Sequence, residues 1–192
     1  MNLYVVLLHY PVYNKNKDII ATSIVTHDIH DISRASKTFG VKKFYLVQPL
    51  ENERKMVERI ILFWNTKGKD YNPNRLEAVS VISIKDNFGS VIEEIKSIEQ
   101  NKPLLIGTSA KEQEVENISF EKTALLLTEN NTVVLIFGTG WGIADEIKCK
   151  LDYFLPPIAG FGEFNHLSVR SAVSIILDRI ISNYKALIFL HS

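Results

Sequence analysis

Residues able to do chemistry gather between Val133 and Ile180. Val133 to Phe137 is a short apolar run closed by Gly138, the pattern of a buried parallel strand. Gly138, Thr139, Gly140, Trp141 and Gly142 follow directly. Such a loop lets the backbone approach a ligand with no Cβ in the way. Tyr153 to Leu155 reads as a second strand, ended by Pro156 and Pro157, then Ile158 and the Gly160-Phe161-Gly162 loop. Upstream, Pro103 to Ile106 is a strand that runs into Gly107, Thr108 and Ser109. Open α/β sheets bind ligands beyond the carboxyl ends of their strands, so three such loops predict the walls of one small-molecule pocket. The N–H groups of Gly138–Gly142 suit an adenine edge, a ribose or a carboxylate. Leu155 to Ile158 offer carbonyls, and the two prolines can only accept. Ordinary tight turns have the same composition. The spacing matches neither a dinucleotide fingerprint nor a P-loop.

Proton-transfer candidates flank these loops. Glu163, Asn165 and His166 sit beside the last one, His being the side chain that exchanges a proton near neutral pH. Asn165 also reads as the cap of a helix over 167–182, with Leu167, Ser168 and Val169 at its start. Arg34 is suited to a phosphate or to stabilising an anionic nucleophile. The plainer reading of Arg34 is a surface pair with Asp31 or Asp28.

These residues need elements to position them. Leu3 to Leu8 and Lys43 to Val47 read as buried strands, and Ile19 to Val25 as a short strand or loop. A helix over 28–39 has Thr26 or Asp28 as its cap and Gly40 as its stop, with Ile29, Ile32, Ala35, Ser36 and Phe39 on one face. A longer helix spans 52–66, its apolar face being Met56, Ile60, Ile61, Phe63 and Trp64. Lys67, Lys69 and Arg75 fall in a Gly/Asn/Pro loop, a candidate basic surface. Val79 to Ile84 is read as a strand. Helices follow over 87–100, burying Val91, Ile92, Ile95 and Ile98, and over 119–128. Asp145 and Glu146 favour the first turn of a short helix. The alternation of strand and helix predicts a single α/β domain over residues 1–192, with a mainly parallel sheet between helical layers.

The chain resembles the SPOUT class of RNA methyltransferases. The resemblance rests on Phe137–Gly142, on Leu155–Gly160, on Asn165-His166-Leu167-Ser168-Val169-Arg170-Ser171-Ala172, and on Thr26–Ala35 closed by Phe39-Gly40-Val41. It implies a three-layer α/β/α sandwich with a C-terminal deep trefoil knot. It implies S-adenosylmethionine as cofactor, an RNA substrate (tRNA or rRNA) and a homodimer. It gives Arg34 a role facing the cofactor, with Asp31, Glu163 and His166 as further catalytic candidates. Guanine N1 and ribose 2′-oxygen both remain open as acceptors. The alternative is a non-catalytic adenosylmethionine- or nucleotide-binding dimer partnering an RNA enzyme. The stripe Val169, Ala172, Val173, Ile176 and Ile180 is the expected dimer face, although a core face has the same spacing.

Composition sets limits. Hydrophobic residues at 46% and charged residues at 23% exclude disorder. Lys plus Arg equals Asp plus Glu at 22 each, so any RNA affinity must come from a local patch or a second chain. Cys149 is the single cysteine, which excludes an internal disulfide and predicts a reducing, cytoplasmic setting. The histidines show no metal-ligand spacing, the N-terminal run lacks a secretory pattern, and no stretch reaches the roughly 18 apolar residues of a membrane span.

Overall fold

The computed structural model describes residues 1–113, 116–162 and 164–190. Eight strands and seven helices are assigned among them. In order they are β1 (Asn2–Leu8), β2 (Val12–Tyr13), β3 (Ile19–Ile20), α1 (Thr26–Thr38), β4 (Lys43–Val47), α2 (Glu51–Asn65), α3 (Pro73–Val79), β5 (Ile82–Lys85), α4 (Phe88–Glu99), β6 (Leu104–Gly107), α5 (Phe120–Thr128), β7 (Thr132–Gly138), α6 (Asp145–Lys148), β8 (Tyr153–Phe154) and α7 (Val169–Leu190).

Six strands form one parallel sheet in the order β5-β4-β1-β7-β6-β8. Beyond their first residues, Asn2, Thr132 and Lys43, the strands β1, β7 and β4 carry apolar and aromatic residues almost throughout, because both faces are covered. Leu3, Val5 and Leu7 of β1 and Val133, Leu135 and Phe137 of β7 point to one core, shared with α1, α2, α5 and α7. Tyr4, Val6, Leu8, Val134 and Ile136 point to the other, shared with α4 and α6. The three-layer sandwich expected from the alternating pattern is therefore present.

Several local expectations need correction. The segment read as a loop up to Arg75 contains α3, begun by Asn72 accepting from the Arg75 N–H at 3.0 Å, with Pro73 in the first turn. Asn-Pro here is a helix start rather than a turn. The strand placed at 79–84 is shifted to Ile82–Lys85. The short strand or loop expected over 19–25 is borne out: it holds β3, which pairs antiparallel with β2 as a hairpin. Neither Thr26 nor Asp28 caps α1; Val25 occupies that position without a side-chain bond. Ile98 is exposed, not buried.

The expected dimer stripe also changes role. Val173, Ile176 and Ile180 are buried in the chain's own core, where α7 packs on α1 and α5. α7 also runs beyond its expected end to Leu190.

Candidate active site

β6, β7 and β8 run parallel, so their loops emerge together. Gly107 lies opposite Ile136 and Phe154 in register. The Thr108 N–H and hydroxyl both donate to the Ile136 carbonyl, at 3.0 and 3.1 Å. The Leu155 N–H donates to Gly107 at 3.0 Å. Asn165 is no helix cap. Its Nδ2 donates to the Ala110 carbonyl at 2.9 Å and ties the segment after β8 to the loop after β6. The start of α7 is instead served by Ser168, whose Oγ lies 2.9 Å from that of Ser171 and accepts from the Ser171 N–H at 3.4 Å.

The glycine loop after β7 is more occupied than expected. Thr139 N–H donates to Leu8, Trp141 N–H to Tyr13, and Gly142 N–H back to Thr139, at 3.2, 2.8 and 3.1 Å. Gly140 adopts φ +59°, and a Cβ there would lie 2.8 Å from the Tyr13 carbonyl. Both constraints belong to the fold, which packs this loop against β2. At Gly142 a Cβ would meet nothing within 4 Å, so the backbone there faces open space. Ile158 is half-buried, while Gly160, Phe161, Gly162 and Phe164 are exposed.

Beneath this loop sits a polar chain that the sequence did not suggest. Thr139 Oγ1 is 2.6 Å from Thr22 Oγ1, and Thr22 Oγ1 is 3.0 Å from His9 Nδ1. Gln48 Nε2 donates to the Thr22 carbonyl at 2.8 Å. His9 is 1% exposed, and its Nε2 is buried without a hydrogen-bond partner. Burial lowers its pKa to about 4, outweighing the charges of Asp28 and Glu53 that raise it.

The catalytic candidates are spread apart. Arg34 is exposed on α1, and the Asp31–Arg34 pair is not formed. Asp31 faces Arg170 at 3.5 Å, and buried Asp28 accepts from the same guanidinium at 3.0 Å. Arg170 thereby clamps the start of α7 to the start of α1. It stands inside a motif noted in the sequence but had no role there, because a partner 142 positions away leaves no local signal. His166 is exposed, its ring edge-on to Phe164 with centroids 5.5 Å apart. Glu163 lies outside the described residues. No group of three potential metal ligands occurs among the described residues.

The model of a family described as SAM-dependent RNA methyltransferases matches residues 2–182. The chain belongs to that family. S-adenosylmethionine is thus its cofactor class and RNA its substrate class, as the resemblance to the SPOUT class implied. An uncharacterized protein of Aquifex aeolicus is 38% identical over 183 residues, covering 94% of this chain and 89% of that one. A tRNA (guanine-N(1)-)-methyltransferase of Nitratidesulfovibrio vulgaris is 39% identical over 183 residues, covering 95% of this chain but 42% of its own length. The methyltransferase described here thus spans less than half of that relative. The SpoU methyltransferase AviRb from Streptomyces viridochromogenes shares the fold at a TM-score of 0.63 and 13% identity, over 96% of this chain and 60% of that one.

Proposed function

We propose that this chain transfers a methyl group to a nucleotide of tRNA or rRNA at the carboxyl edge of β6, β7 and β8. One observation carries the placement: three parallel strands end there in loops joined by direct hydrogen bonds, with open space at Gly142. Gly107–Ser109, Gly138–Gly142, Leu155–Gly160 and Asn165–Val169 would hold the cofactor. S-adenosylmethionine supplies an electrophilic methyl when bound. The protein's own part is to orient the acceptor in line, exclude water and take up the proton released.

Arg34 is assigned to the RNA, forked onto a phosphate or set against an anionic nucleophile. His166 and Glu163 are assigned to proton removal. Asp31 joins them through Arg170, which holds its carboxylate at the junction of α1 and α7. The 39%-identical relative bears a guanine-N1 name, which favours guanine N1 over ribose as acceptor. The deep trefoil knot belongs to this reading, supported by β8 lying beyond β6 while α7 returns to α1 and α5. So does a homodimer. With the α7 stripe internal, the dimer face is assigned to the exposed Phe161, Phe164 and Leu167 beside the loops. The cytoplasm is the proposed compartment; among the described residues no helix is long and apolar enough to cross a membrane.

The test is methyl transfer from labelled cofactor to tRNA and rRNA from cells lacking the protein, followed by mapping of the modified nucleotide. A label on N1 of one guanine is expected. Cofactor binding with no transfer to either RNA would leave only the non-catalytic reading. Arg34→Lys should cut transfer on the order of a hundredfold at unchanged cofactor affinity. Near-normal turnover would remove Arg34 from the site. Sedimentation at micromolar concentration should give twice the chain mass.

A further inference from the structure

A concavity of about 500 Å³ opens between α1 and α2, away from the three strand-end loops. That volume suits a nucleotide-sized ligand. Met56, Phe63 and Trp64 line its apolar part, and His30, Lys55 and Arg59 its polar part. An amphipathic helix normally buries its apolar face. α2 does so only in part: Phe63 remains 47% exposed. His30 Nδ1 is buried and has no hydrogen-bond partner.

The basic segment after α2 packs against Trp64, one of the lining residues. Gly68 N–H donates to the Phe63 carbonyl at 2.8 Å. A Cβ at Gly68 would lie 2.5 Å from Trp64 Cε3, so only glycine lets the chain pass so close to the ring. The Arg75 guanidinium sits 5.0 Å from the Trp64 ring centroid. Lys67 and Lys69 lie in the same segment. In a chain of zero net charge this is a local excess of cations, offset in part by Asp70, by the exposed Glu58 and by Glu51, which pairs with Lys55 at 2.6 Å. Arg59 is exposed.

The groove also connects to the methyl-transfer edge. α2 begins four positions after β4 ends, at the carboxyl edge shared by the glycine loops. Thr26, one of its lining residues, follows the segment whose Thr22 touches Thr139. Aromatic surface beside cations is how proteins hold an unstacked base and its phosphate.

We propose that the α1–α2 groove binds one unstacked nucleotide of the substrate RNA outside the methylated position, its base against the exposed Phe63, which the buried Trp64 backs edge-on, and its phosphate on Arg59. The inference rests on RNA being the substrate. It is tested on whichever RNA fraction, tRNA or rRNA, the parent protein methylates. Phe63→Ala and Arg59→Gln should each raise the Kd for that RNA about tenfold. Both should keep parental affinity for S-adenosylmethionine and a parental kcat at saturating RNA. Arg59→Gln should also flatten the salt dependence of log K by about 0.7, the share of one phosphate contact, whereas Phe63→Ala should leave it unchanged. A Phe63→Ala protein that binds this RNA as the parent does would overturn the proposal and leave the groove to a protein partner. A parent that neither binds nor methylates RNA would overturn the substrate reading as well. A parent that methylates while both variants bind normally would overturn the groove alone.

Discussion

The side of the sheet under α4 and the carboxyl edge of β6–β8 are built on opposite rules. Under α4 the polar groups pair with one another. Glu94 accepts from Tyr45 at 2.8 Å and from Lys43 at 2.7 Å, and pairs with Lys85; Glu99 accepts from Tyr4 and from Lys42. Burial alone would raise the Glu94 pKa, but the Lys43, Lys85 and Tyr45 hydrogen bonds hold it at about 2. Burial and the neighbouring carboxylates push both tyrosines well above the usual phenol range. At the carboxyl edge the opposite holds. Phe161 and Phe164 stand in solvent, and Gly142 faces open space. Polar groups satisfied within the chain stabilise it; a surface left apolar and open is reserved for something else to cover.

Breaking the Arg170 clamp should have the largest effect. Arg170→Ala leaves the Asp28 carboxylate buried and unpaired, for a cost of roughly 3–4 kcal/mol, at the low end of that range because the Arg170 side chain is 41% exposed. Urea unfolding measures this, and Asp28→Asn combined with Arg170→Ala should recover part of it. A loss within 0.5 kcal/mol would show that the clamp is only a surface pair.

The two regions should also titrate apart. His9 binds a proton near 6.5 when unfolded and near 4 when folded, so below 6.5 the unfolded state holds more protons. Its contribution is therefore complete above pH 6.5 and lost as pH falls toward 4, up to about 3 kcal/mol. His30 is lowered in the same sense by burial and by Arg75, and adds to the slope. Glu94, shifted from 4.5 to about 2, contributes above pH 4.5 and loses that contribution between 4.5 and 2. Thermal melts should show two separate losses, and His9→Gln should flatten only the upper one.

Glu94→Gln should cost about 1–2 kcal/mol and leave methyl transfer unchanged, since it acts only under α4. Asn165→Ala should do the reverse. The fold is kept, but losing its bond to Ala110 should weaken cofactor binding about three- to tenfold, as titration calorimetry would read. Equal cofactor affinity in Asn165→Ala would detach the segment after β8 from the pocket.

Much of this contrast was legible before the fold. Strands such as β1, β4 and β7 are runs of Val, Leu, Ile, Tyr and Phe bounded by loops, and their period is local. The three strand-end loops were legible for the same reason. What stayed hidden is long-range. Nothing in the sequence near Gly140 reveals that the Tyr13 carbonyl sits where a Cβ would go. As a result Gly140→Val, an obvious probe of the cofactor site, would test the β2 contact instead. The α7 stripe has the same period whether it faces a core or a partner, and only its packing on α1 and α5 decides. The groove was half-legible: of the residues read as the apolar face of α2, Met56, Ile60, Ile61 and Trp64 pack inward, but Phe63 stays 47% exposed and the fully buried Val57 was missed, because burial depends on how α1 is placed.

The register of β1 carries a consequence for the order of assembly. β1 and β7 are adjacent at the sheet's centre, yet Leu8 lies opposite Gly138, and Asp28 meets Arg170 across 142 positions. Closing such spans costs chain entropy before any contact repays it. As the chain leaves the ribosome, β1, β4 and β5 can pair while the glycine loop and the clamp do not yet exist. The carboxyl edge of β6–β8, where we propose the site, is then the last part of the molecule to form, so methyl transfer there would report on the completion of folding rather than on its onset.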